Sequence, residues 1–113
     1  GMLGPGGLTA EEVVDKIEGE GERMRLDAGS VRKATTAAVQ VHIGNLAARA
    51  LFADMEGQPQ KAFKEIESTL RFIQTDAELF RKKLGCEINP TARIADEDGL
   101  QLANVCTKMI SRR

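Results

Sequence analysis

The feature that most constrains this chain is an apolar stripe in its second half, whose members are separated by alternating steps of three and four residues. In an α-helix, with 3.6 residues per turn, this spacing places every member on one side. The 63–84 stripe consists of Phe63, Ile66, Leu70, Ile73, Ala77, Phe80 and Leu84. It predicts a single helix across this segment, with the apolar side buried against other helices.

Glycine and proline mark the ends of this helix and of the one before it. The second helix runs from about residue 31 to 56 and stops at Gly57-Gln58-Pro59, because glycine suits a left-handed cap and proline cannot continue a preceding helix. Pro59 suits the first turn of the third helix, which ends before Gly85. The short connection predicts that these two helices form a long helical hairpin.

Two further helices flank the hairpin. Thr9 and Glu12 form a capping-box pair at the start of the first helix, and Gly19-Glu20-Gly21 predicts a kink or an end in it. The fourth helix starts either at Asn89-Pro90-Thr91 or at Asp96-Glu97-Asp98. Alternating strand patterns are missing from the sequence. We therefore expect an all-α fold, an antiparallel four-helix bundle in which the first and fourth helices cover the hairpin.

The length of 113 residues fits one domain, which we place at residues 8–113. Residues 1–7 carry four glycines and one proline, so we expect a disordered tail. Gly1 in front of Met2 is typical of the remnant of a cleaved expression tag.

The charge balance bears on the class of partner. The formal charge is −1, from 16 basic and 17 acidic residues that alternate along the chain, which argues against nucleic acid and anionic membranes as partners. No apolar run reaches the roughly 20 residues of a membrane span, and no signal-peptide pattern is present. We expect a cytoplasmic protein, with Cys86 and Cys106 as reduced, partly buried thiols.

Residues for catalysis are scarce. His42 is the one histidine, and the sequence has neither Trp nor Tyr, which excludes a metal site built on several histidines. The many carboxylates alternate with Lys and Arg, as solvated helix faces do. We therefore predict a protein that is not an enzyme and holds no cofactor and no metal.

Two alternatives keep other functions open. The segments Ile43-Gly44-Asn45-Leu46-Ala47 and Asp54-Met55-Glu56 resemble part of the long helix of histidine phosphotransfer domains, which implies a signalling bundle. The similarity places Ala34 where the family has its histidine, so this alternative uses His42, the one histidine present. That family places Lys and Gly three and four residues after its histidine, where this chain has Asn45 and Leu46. The other alternative is a small DNA-associated regulator.

The second helix is apolar on two opposite sides. One side reads Ala34, Ala38, Val41, Asn45, Ala48, Phe52 and Met55. About half a turn away lies a second apolar row, and the third helix has a narrower row of its own. Two short outer helices cannot easily cover both rows, so we expect a homodimer that also binds another protein, as an adaptor, regulator or chaperone-like module does. The predicted interface consists of Val39, Ile43, Leu46, Ala50, Phe72 and Leu79.

Overall fold

The computed structural model describes residues 7–87 and 97–111, which are helical with short connections and contain no strand. The elements are α1 (Ala10–Arg23), α2 (Ala28–Met55), α3 (Pro59–Arg71), a π-helical turn (Phe72–Asp76), α4 (Ala77–Leu84) and α5 (Glu97–Ser111). The all-α prediction is confirmed, and α2 and α3 pack together. The antiparallel order of the bundle stays a prediction. The expected tail, apart from Gly7, and the helix start at 89–91 lie outside the described residues.

Local capping signals set the first two helix starts. At α1, the Glu12 amide donates to the Thr9 hydroxyl at 3.2 Å and the Thr9 amide donates to the Glu12 carboxylate at 3.4 Å, as the capping box predicts. Helix α2 begins three residues earlier than predicted, because the Asp27 carboxylate accepts a hydrogen bond from the Ser30 amide at 2.7 Å. An acidic side chain at this position also complements the helix dipole.

Helix α1 passes through both of its glycines. Of the kink or end predicted at 19–21, the end is wrong, since the helix continues to Arg23. Gly21 is buried, and a Cβ added there would lie 2.5 Å from Cγ2 of Val31 on α2. Glycine at this position therefore lets α1 and α2 approach more closely than any other residue would allow.

The core surrounds the first half of α2. Helix α2 contacts α5, α4 and α1, and α1 contacts α4 and α5 in turn. The side chains with almost no solvent exposure come from all of these helices: Val13, Val14, Ile17, Thr35, Val39, Phe80, Leu102, Cys106 and Ile110. The first half of α2 is therefore enclosed by three other helices.

The second half of α2 and α3 form a distinct part of the molecule. We call residues 47–71 the arm. Gly57, with a φ of +74°, occupies the left-handed position that the sequence predicts between its two helices. Within the described residues, α3 packs against α2 and the π turn, and not to a similar extent against α1 or α5. Most of the surface of α3 therefore faces solvent.

The π turn changes which side of the third predicted helix is buried. The Ala77 amide donates to the Phe72 carbonyl, five residues back, so the turn holds one residue more than an α-helical turn. One extra residue rotates α4 by about 100° relative to α3. Phe80, about 80° from Phe72 in an uninterrupted helix, is thereby brought to within about 20° of it. The two rings lie 6.4 Å apart in the core.

This rotation divides the 63–84 stripe. Phe80, in the second part, is fully buried, whereas Phe63, in the first part, is 62% exposed. Ile66, Leu70 and Ile73 are also exposed. The prediction that the whole stripe is buried on one side is therefore wrong, because it assumed uninterrupted α-helical geometry.

Candidate interaction surface

The chain itself covers most of the interface predicted from the sequence. The second apolar row of α2 faces the core and α3 rather than solvent. Val39, Leu46, Ala50 and Phe72 are buried, and Ile43 and Leu79 are partly buried. These side chains do not form a free surface in a single copy of this chain, so an apolar surface for a partner has to be sought elsewhere.

Exposed apolar side chains are concentrated on and beside the arm. Among the described residues, large hydrophobic side chains that are well exposed lie between residues 41 and 73, with one exception, Leu100 on α5. They are Val41, Leu51, Phe52, Met55, Phe63, Ile66, Leu70 and Ile73. Single exposed hydrophobic residues are common on proteins, but clusters of them mark interaction sites.

A groove runs between the two helices of the arm. We call this the arm groove; its volume is about 490 Å³. It is lined by Ala47, Ala50, Leu51 and Asp54 of α2 and by Ala62, Ile66, Thr69 and Leu70 of α3. The buried alanines Ala50 and Ala62 form its base, and the exposed Leu51, Ile66 and Leu70 stand at its sides. Small residues flanked by large ones create a shape that an apolar ridge can fill.

We call the groove with its neighbouring exposed side chains the arm face. It consists of Leu51, Met55, Phe63, Ile66, Leu70 and Ile73. Asp54 is the one charged residue among those that line the groove. The arm face is therefore predominantly apolar.

The opposite side of the arm is polar. Arg49 lies two residues from Leu51, about 200° around α2, and its Nε is 3.6 Å from Oε2 of Glu65 on α3. Nearby is a cleft of about 440 Å³ whose lining includes Ser68, Arg71 and Asp76. The arm thus has a charged face on a side other than that of the arm face.

A second, narrower apolar row follows the outer side of α2. It continues the small-residue side that the sequence shows, whose first members, Ala34 and Ala38, are buried. Met55, at the end of this side, belongs to the arm face. The other exposed members, which we call the outer row, are Val41, Asn45, Ala48 and Phe52. Unlike the arm face, the outer row belongs to one helix and contains a polar residue at its centre.

His42 lies in a packed environment. Its side chain is 8% exposed, and its ring meets that of Phe72 edge to face, with centroids 4.7 Å apart and an interplanar angle of 71°. A phosphoryl acceptor must be reached by its donor, and this ring presents little surface to one. His42 also lines the cleft of about 440 Å³ that contains Arg49 and Arg71, and the phosphotransfer alternative stays a prediction.

Both cysteines are free and buried. Burial raises the pKa of the Cys106 thiol to about 12, against a smaller opposing effect from a hydrogen bond with Thr35. Burial likewise raises the pKa of the Cys86 thiol, while a hydrogen bond with Thr36 acts in the opposite direction. Both groups are therefore protonated thiols with little nucleophilic character at neutral pH.

Across residues 7–87 and 97–111, no three His, Cys, Asp or Glu side chains are grouped as a metal site requires. None of the helices described there has the length and apolar character needed to cross a membrane. Comparisons with known families, with curated proteins and with solved structures gave no match.

Proposed function

We propose that this chain is a non-enzymatic helical protein-interaction module that acts as a homodimer and also binds another protein. The observation that carries the proposal is the arm face, where Leu51, Ile66 and Leu70 line one groove and three further large apolar side chains, Met55, Phe63 and Ile73, are exposed at neighbouring positions of the chain. In contrast with the interface predicted from the sequence, this surface is accessible in a single copy of the chain.

The size of the arm face supports an interaction role. Its side chains are on average more than half exposed. Taking on the order of 180 Å² for a free large apolar side chain, they present roughly 600 Å² of apolar surface. The largest apolar patch of a typical monomer is about 300–600 Å² and often functional. The arm face therefore reaches the upper end of what monomers leave exposed.

The position of the arm face supports the same role. Helix α3 has α2 as its one extensive packing partner within the described residues. Helices in proteins derive most of their stability from packing of an apolar face. A partner on the arm face would give α3 the second packing surface that its sequence is patterned for.

The proposal is tested by measuring solution mass by light scattering over a series of concentrations. We expect a dimer that dissociates on dilution. Leu70→Glu, on the arm face, should raise the dissociation constant at least about 100-fold, since a buried carboxylate without a partner costs several kcal/mol.

Leu100→Glu is the matched control, because Leu100 is 53% exposed and Leu70 is 52% exposed, both on helices. The control should associate as the wild type does. A wild-type chain that is monomeric up to about millimolar concentration, in the range of the weakest specific contacts, would contradict the homodimer. Equal effects of the two substitutions would contradict the role of the arm face.

A further inference from the structure

Two exposed apolar surfaces are candidates for the contact with a second copy: the arm face and the outer row. We infer, resting on the proposed homodimer, that the second copy docks its own arm into the arm groove. The second half of α2 and α3 of both copies then form an intermolecular four-helix bundle. The outer row stays outside this contact.

Shape favours the arm groove over the outer row. The groove is a concavity of about 490 Å³ between two helices, whereas the outer row is the convex side of one helix. Shape complementarity at an interface needs a ridge that meets a depression. Each arm supplies both features. The groove is the depression, and the exposed Phe63 and Ile73, close in the chain to Ile66 and Leu70 at the side of the groove, supply the ridge.

Polarity favours the same choice. Asn45 lies in the middle of the outer row, and its burial without a matched partner would cost free energy. The base of the arm groove consists of alanines, and its sides are Leu51, Ile66 and Leu70. Docking at the groove therefore removes mainly apolar surface from water, and the side-chain hydration that it reduces is that of Asp54 and Thr69, which also line the groove.

Area favours a second copy as the occupant. A standard interface buries about 800 Å² on each partner, of which about 60% is apolar, so each side contributes on the order of 500 Å² of apolar surface. The roughly 600 Å² of the arm face is about this amount. A two-fold symmetric contact uses the same patch on both partners, so one pairing covers the arm faces of both copies.

The charged side of the arm is consistent with this arrangement. Arg49 and Glu65 pair across α2 and α3 on the side away from Leu51. In an arm-to-arm bundle this ion pair stays in water, where it needs no desolvation. The arm thus has the distribution expected of a hairpin that forms half of a four-helix bundle.

Neighbouring alanines allow a test that separates the two surfaces. Ala47 lines the arm groove and Ala48 belongs to the outer row; both are exposed, and they differ by about 100° in direction. The variants Ala47→Cys and Ala48→Cys are each labelled with a maleimide at concentrations above and below the dissociation constant from light scattering. The native thiols, Cys86 and Cys106, are buried, and the wild type gives their background.

We expect the Ala47→Cys thiol to react at least 10-fold more slowly in the associated protein and the Ala48→Cys thiol to change less than 2-fold. Protection of Ala48→Cys alone would place the contact on the outer row and overturn this inference, while leaving the homodimer in place. A dimer that protects neither thiol would overturn it as well. A wild-type chain that stays monomeric would instead refute the proposed function itself.

Discussion

The close approach of α1 and α2 makes a sharp prediction about two glycines on one helix. Gly21 faces Val31, and an added Cβ would lie 2.5 Å from Val31 Cγ2. Gly19, two residues away on the same helix, has no atom within 4 Å of the equivalent position. Both substitutions by alanine therefore add a methyl group. Gly21→Ala places it in space that Val31 occupies, and Gly19→Ala places it in open space.

The magnitudes follow from two opposing effects. Replacing glycine by alanine inside a helix stabilises by about 1 kcal/mol. An overpacked methyl group in a core costs about 1–3 kcal/mol. Gly19→Ala should raise the free energy of unfolding by about 1 kcal/mol. Gly21→Ala combines both effects and should lower it by between about 0 and 2 kcal/mol. The two variants should thus differ by about 1–3 kcal/mol.

Urea unfolding followed by circular dichroism measures both free energies at one protein concentration. In the background of Gly21→Ala, shortening Val31 to alanine should be less destabilising than in the wild type, because it removes the overlap. A Gly21→Ala variant as stable as Gly19→Ala would refute the close packing of α1 on α2. Equal effects of the Val31 substitution in both backgrounds would refute its proposed cause.

Two further predictions concern the divided stripe and the start of α2. Phe80→Ala should cost about 3–5 kcal/mol in urea unfolding of the dissociated protein, and Phe63→Ala less than about 1, whereas equal losses would contradict the rotation at the π turn. Hydrogen bonds from Ser30 hold the pKa of Asp27 below its ordinary value of 3.8. Its stabilising contribution is therefore full above that value and is lost as the pH falls further. Asp27→Asn, which keeps a capping side chain, should reduce the dependence of unfolding free energy on pH below about 4, and an unchanged dependence there would contradict this role.

Helix boundaries were accessible from the sequence where one or two neighbouring residues decide them. The Thr9 and Glu12 capping box and the left-handed glycines at 57 and 85 lie where the sequence places them. Of the kink or end predicted at Gly19-Glu20-Gly21, the end is wrong, and Gly21 instead permits a contact with Val31, 10 residues along the chain. Helix propensity gives the free-energy cost of a glycine within a helix, but it contains no information on which residues pack beside that glycine.

The candidate site was only partly accessible. The sequence shows that α2 is apolar on two sides and predicts more apolar surface than one chain covers. It selected Val39, Leu46 and Phe72 as that surface, although the chain's own helices cover them. Four of the six side chains of the arm face, among them Leu70, belong to the 63–84 stripe that the sequence predicts to be buried.

The sequence by itself therefore determined the all-helical class, the amphipathic patterns and most helix ends, because these depend on spacing and caps within a few residues. The tertiary structure alone decided which faces are buried. The reason is the π turn at 72–76, which rotates one half of a helix against the other by about 100°. Helical periodicity assumes a constant angle per residue. The extra residue in the π turn does not disturb the spacing of apolar residues in the sequence, but it turns the residues after it toward a different side of the helix.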